Sequence, residues 1–131
     1  MTAGLLDTSA VIDWDDPGVA SALPDEASVS AVTLAELAAG PQLASNRAEA
    51  ARRQARLQQI EATFEPLAFD ARAARSYGQA VAAVRNSGRS HRSRAADLLI
   101  AATAHANGLV LYTRNPDDFS GLEDLVTVIG I

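Results

Sequence analysis

Residues 95–106, AADLLIAATAHA, constrain the fold of this chain more than any other stretch. Their composition and spacing predict a helix that is apolar on most faces, so it cannot be buried through a single stripe. Such a helix has to be enclosed by neighbouring elements. Gly108 then reads as its stop, LVLYT (109–113) as a short apolar strand, and RNPDDF as a polar loop. Asp97 opens the helix, and Asp117 and Asp118 follow the strand. Carboxylates therefore stand at both ends of a strongly apolar unit, which a chain needing only a core does not require.

The remaining sequence extends the same alternation. AGLL (3–6) is a strand candidate and TSAVIDW after it suits a helix. ASVSAV (27–32) reads as a second strand, and TLAELAA as a helix closed by Gly40 and Pro41. A long helix is expected over 46–63 with Asn46 as its cap, then a weaker strand in FEPLAF, then a helix from an Asp70 cap to about Arg85. The loop NSGRSHRSR precedes the 95–106 helix, and LVTVIGI supplies a last strand. Strands alternating with helices imply a three-layer α/β/α sandwich on a mainly parallel sheet of four to five strands. At 131 residues the chain is expected to form one domain spanning 1–131, with a substantial core. Ligands of such sheets bind at the carboxyl ends of the strands. Asp7 directly follows the first strand and RNPDDF the fourth, so their acids are expected at one edge.

Composition narrows the chemistry. A hydrophobic content of 48% excludes disorder, and no apolar run is long enough to span a bilayer. The N-terminus has no basic region and Asp7 interrupts its apolar stretch, so no signal peptide is read and a cytoplasmic, non-membrane protein is expected. With no cysteine there are no disulfides, thiolate metal sites or thiol nucleophiles. His91 and His105 lack a second nearby nitrogen ligand, so any metal should be a hard ion held by oxygen. The net charge of −5 is unevenly distributed: residues 1–44 hold seven acids and no base, whereas ten of the eleven basic residues lie between Arg47 and Arg94. Every basic residue is Arg. A GC-rich genome explains this together with the 28 alanines; planar forks for phosphate or carboxylate are the functional reading.

Each acid has an ordinary structural role available to it. Asp7 can cap the helix that follows, Glu36 has capping-box spacing from Thr33, Asp97 falls in a first helical turn after a Ser93 cap, and Asp117 and Asp118 suit a turn after Pro116. Taken together these roles are insufficient. Asp97 sits beside Leu98, Leu99 and Ile100, and a buried carboxylate needs a cation or donors. Acids gathered at one sheet edge repel one another unless a cation holds them, and with it they form a hard-metal site.

The segments LLDTSAVID, VTLAELAAG and ADLLIAATAHANGLVLYTRNPDDF resemble, in order and spacing, the PIN-domain ribonucleases, above all the VapC-type toxins of toxin–antitoxin systems. The resemblance covers nearly the whole chain and is weakest over 41–90. It implies a PIN-like fold and a metal-dependent endoribonuclease that hydrolyses RNA with Mg²⁺ or Mn²⁺, leaving a 3′-hydroxyl and a 5′-phosphate. It assigns the catalytic acids to Asp7, Glu36, Asp97 and Asp118, with Asp7 and Asp97 binding the metal directly. Asp117 is the alternative for the fourth acid, and Asn115 stands where some relatives carry another. Thr8, Ser9 and Thr113 are expected to orient the carboxylates or the attacking water.

An acidic site repels a polyanion, so Arg85, Arg89, Arg92 and Arg94, with His91, are the expected phosphate contacts. Arg47, Arg52, Arg53 and Arg56 read as a solvated helix face supported by the Glu49–Arg53 spacing. Trp14 and Phe119 are expected to pack apolar surface. The resemblance also implies a homodimer and a cognate antitoxin lying across the groove, received on apolar surface of the helices around 8–23 and 33–62. Two rival readings are a non-catalytic PIN-like module that binds RNA or a partner, and an aspartyl phosphotransfer domain. The second lacks a paired acid beside Asp7 and any lysine.

Overall fold

The computed structural model describes residues 1–89 and 94–131. The chain starts with β1 (Ala3–Leu6), the short helices α1 (Thr8–Val11) and α2 (Pro17–Ala20), and β2 (Glu26–Ser30). Next come α3 (Ala31–Ala39), a 3₁₀ turn at Gly40–Leu43, α4 (Arg47–Thr63), β3 (Glu65–Leu67) and α5 (Ala71–Asn86). The last elements are α6 (Ala95–Ala106), β4 (Val110–Thr113), a 3₁₀ turn at Pro116–Phe119 and β5 (Val128–Gly130).

The five strands form one sheet in the order β3-β2-β1-β4-β5, and all four pairings are parallel. β1 is central. The chain winds outward from it through β2 to β3, then returns to place β4 on its other side, so the winding direction changes between β1 and β4. That is where an open parallel sheet leaves a crevice at its carboxyl edge.

Side chains alternate across the strands and feed two separate cores. Leu5 and Leu111 point into a layer with Ala80 and Val84 of α5 and with Leu98, Ile100, Ala101 and Ala104 of α6. Leu6, Val29 and Tyr112 point the other way, against Ala10 and Val11 of α1, Leu37 of α3, and Leu57 and Ile60 of α4. This is the expected three-layer sandwich. α6 is buried around most of its girth, as its composition requires, and the small residues Ala73, Ser76 and Ala80 of α5 let the two helices approach closely. Gly108 takes a left-handed φ of 62° and ends α6, with the Leu109 amide donating to the Ala104 carbonyl at 2.9 Å. Trp14 meets Phe64 edge-on at 5.5 Å, and Phe119 is buried, so both pack as expected.

Two helix boundaries differ from the sequence reading. Ser30, not Thr33, caps α3: its hydroxyl accepts from the Val32 amide at 3.0 Å, so the helix begins two residues early and absorbs Ala31 and Val32. Glu36 is thereby placed in mid-helix, beyond reach of a capping box. The helix expected over TSAVIDW stops at Val11, and α2 follows under an Asp16 cap. The expected Ser93 cap lies outside the described residues, and Arg94 at the N-cap position makes no side-chain capping bond.

Gly4 marks a close approach. A Cβ at this position would lie 2.4 Å from the Tyr112 ring, whereas ordinary contact begins beyond 3.4 Å. Gly4→Ala is therefore expected to cost about 1–3 kcal/mol by overpacking and to lower the melting temperature by several degrees. A thermal melt indistinguishable from wild type would contradict this packing.

Candidate active site

Asp7 is the first residue beyond β1, and its amide still donates to the Tyr112 carbonyl at 3.0 Å. Its side chain is only 4% exposed, and both oxygens are engaged. Oδ1 accepts from the Ala10 amide at 2.9 Å, which makes Asp7 the cap of α1, and from the Ser9 hydroxyl at 2.7 Å. Oδ2 accepts from the Thr113 hydroxyl at 2.6 Å, across from the end of β4. Capping and site placement thus coexist in one residue. Ser9 also accepts from the Arg114 amide, and Thr113 from the Asn115 amide, each at 3.0 Å. Arg114 in turn donates to Asp13 at 2.8 Å. The loops after β1 and β4 are tied together at several points.

Glu36 projects from α3 toward the same edge. The Thr8 hydroxyl donates to its Oε1 at 2.6 Å and lies 3.1 Å from the hydroxyl of buried Thr33. Thr33, read from sequence as a cap, is instead a buried support beneath Thr8. Asp97 enters from the first turn of α6. The helix dipole there favours a carboxylate, yet its carboxyl is pushed up to about 6. Burial is the main cause, followed by the charges of Asp118, Asp7 and Glu36, with the Arg94 guanidinium acting in the opposite sense. Of the two acids in the Pro116–Phe119 turn, Asp118 is the one whose charge bears on Asp97.

Four acids from distant parts of the chain therefore share one electrostatic neighbourhood at the carboxyl edge of β1 and β4. They do not interlock: among the described residues, no three His, Asp or Glu side chains approach closely enough to hold a metal ion between them. Arg94 borders the cluster, donating from Nη1 to the Ser120 carbonyl at 3.1 Å, while its Nε and Nη2 are buried and have no hydrogen-bond partner among the described residues. Arg92 and His91 lie outside the described residues. Arg47 and Arg52 are exposed as expected of a solvated face, but Arg53 and Arg56 are half-buried and turn toward a groove beside Glu36. Another cavity, of about 280 Å³, lies at the amino end of β4, the sheet edge opposite the acids. His105 lines it and is held by the Ser76 hydroxyl at 2.8 Å.

Residues 4–125 match the PIN domain family. The chain is 36% identical over 128 residues to Ribonuclease VapC5 of Mycobacterium tuberculosis, covering 96% of this chain and 92% of that protein. Its fold is similar to that in the crystal structure of VapBC-5 of the VapBC family of toxin–antitoxin systems, also from M. tuberculosis. That similarity has a TM-score of 0.83 at 36% identity and covers 100% of this chain and 98% of that one. It is also similar to FitAcB from Neisseria gonorrhoeae, with a TM-score of 0.78 at 30% identity over 96% of each chain. With the parallel sheet, the acids at its carboxyl edge and these matches in agreement, the chain belongs to the PIN-domain family and is closely related to the VapC-type toxins of toxin–antitoxin systems.

Proposed function

We propose that this chain is a Mg²⁺- or Mn²⁺-dependent endoribonuclease that hydrolyses RNA phosphodiester bonds and acts as the toxin of a toxin–antitoxin pair. The observation that carries the reading is the convergence of Asp7, Glu36 and Asp118 on half-buried Asp97, whose carboxyl is raised first by burial and then by the charges of these three acids. That gathering of charge suits a divalent cation. The donors are hard oxygens, and magnesium is commonly held by only one or two carboxylates with water completing its shell. Asp7 and Asp97 would hold the ion, with water filling its remaining positions. When bound, such an ion lowers the pKa of its water and neutralises charge developing on the phosphoryl oxygens.

The protein's own groups have separable tasks in this reading. Ser9 and Thr113 fix the direction of both Asp7 oxygens, so little reorganisation is left for the reaction. Thr8 aims Glu36, and Glu36 and Asp118 orient the attacking water or accept its proton. Arg94, with Arg85 near the end of α5 and Arg89 just beyond it, draws in the phosphate backbone that the acids repel. Ribonuclease VapC5 carries this activity in its name, and VapBC-5 comes from a toxin–antitoxin family. By the same reading this chain forms a homodimer and is inhibited by an antitoxin that covers the acids. No helix among the described residues is long and apolar enough to cross a membrane.

The direct test is incubation of the purified chain with labelled single-stranded RNA, with and without magnesium. Cleavage that needs the ion, stops on chelation and leaves 5′-phosphate ends is the expected result. RNA left intact with magnesium present, or cut equally well in EDTA, overturns the reading.

A further inference from the structure

A groove of about 460 Å³ opens beside Glu36, between α1 and α3 on one side and α4 on the other. Thr8, Ile12 and Glu36 line the first wall, and Glu49, Arg53 and Arg56 the second. The charges on the second wall are not equivalent. Glu49 is bound by Arg52 and Arg53, which hold its carboxyl below the usual carboxylate range. Arg53 also donates to the Gly40 carbonyl at 2.8 Å, clamping α4 to the end of α3. Arg56 differs from both. Among the described residues it has no ion pair, and its Nε is buried with no acceptor.

A buried guanidinium N–H without an acceptor is costly, and native proteins rarely retain one without reason. The Nε itself is buried, so an acceptor entering the groove meets the terminal nitrogens of the same guanidinium, and charge-assisted bonds to them offset that cost. We propose that Arg56 receives a backbone phosphate of the RNA next to the one that is cut, so that the strand runs from the carboxylates along the groove between α3 and α4. This assignment rests on the ribonuclease reading above and adds the strand's path. Three observations favour a phosphate. The groove is continuous with the acids, because Glu36 and Thr8 belong to both. Arg52 and Arg53 share the single charge of Glu49, so this wall is net positive, and Arg56 is the arginine on it without a carboxylate partner among the described residues; its planar fork matches two phosphate oxygens. Ile12 and Leu37 provide apolar surface between the two charged ends, suited to a ribose or base.

The test uses the full chain carrying Asp97→Asn, so that the strand is bound without being cut. Binding of a 12-nucleotide single-stranded RNA is followed by fluorescence anisotropy over a series of salt concentrations. Adding Arg56→Ala is expected to weaken binding about five- to tenfold at low salt and to flatten the log–log salt dependence by about 0.7, one phosphate contact on a single strand. Arg56→Lys should keep the slope, since the charge remains, while losing part of the affinity with the fork. An unchanged slope in Arg56→Ala overturns the proposal, as does a slope lost equally in Arg56→Lys. If Arg56→Ala leaves RNA binding intact but abolishes binding of a glutamate-rich peptide, the acceptor is a protein carboxylate and the proposal is wrong. A wild-type chain that neither binds nor cuts RNA removes the ribonuclease reading as well. One that cuts RNA while Arg56→Ala keeps its slope removes this inference alone.

Discussion

Asp97→Asn is expected to abolish RNA cleavage and, in the same protein, to raise the melting temperature at pH 8 in the absence of divalent ions. The two effects have one cause. Asp97 is held half-buried beside three other acids, and its carboxyl keeps a proton to about pH 6, against an ordinary value of 3.8. A group whose pKa is raised by folding stabilises the fold fully below its unfolded value, and that contribution is lost as pH rises through the folded value. The wild type should therefore lose stability between about pH 4 and pH 6 from this residue, whereas the asparagine variant should not. Above that window the difference should be constant at about 1 kcal/mol, discounted because the group is partly solvated, or a few degrees in melting temperature. Magnesium should close or reverse the gap, since only the wild type gains from binding it. Activity should fall on the order of a thousandfold or more, the size of losing several kcal/mol of charge stabilisation. Equal melting temperatures for the two proteins at pH 8 would mean that Asp97 is not under electrostatic stress.

Asp7→Asn should behave in the opposite way on stability while losing activity to a similar extent. Both Asp7 oxygens accept: one from the Ala10 amide and Ser9, the other from Thr113. An asparagine has only one carbonyl oxygen, so its NH2 would face the Thr113 hydroxyl, which would have to turn from donor to acceptor and give up its bond to a charged oxygen. Losing hydrogen bonds to a charged acceptor costs about 1.5–3 kcal/mol. The cap of α1 and the link between the β1 and β4 loops would weaken together. Thermal melts of the two variants side by side provide the comparison: a rise for Asp97→Asn and a fall for Asp7→Asn. A rise in both would show that Asp7 is a strained charge and not a structural anchor.

Much of this arrangement was legible because it is local. The apolar girth of α6, the Gly108 stop and the acids directly after β1 and β4 are adjacent in sequence to the elements that position them, so pattern and turn chemistry located them. The start of α3 was misread because Ala31 and Val32 continue the apolar run of β2, and only the Ser30 hydroxyl decides where extension ends. Glu36 was identified through resemblance, which also placed Thr8 among the residues expected to orient the carboxylates; that Thr8, 28 residues away, holds Glu36 in particular is what no pattern shows. The Arg114–Asp13 pair spans 101 residues and is equally invisible. Arg53 and Arg56 misled for a different reason. α4 buries only Leu57 and Ile60, so its remaining positions read as solvated, while long arginine stems can lie against a groove and bring their heads inward.

The position of β1 in the sheet also bears on synthesis. β1 precedes the other four strands in the chain yet is central in the sheet, and its second neighbour, β4, comes only after α6. A growing chain can pair β1 with β2 early, but the other edge of β1 stays open until residues 110–113 emerge. Asp97 and Asp118 arrive equally late. A chain translated only as far as α5 thus has neither a closed sheet nor a full set of acids, and in a protein with the proposed activity it could not yet cut the message that encodes it.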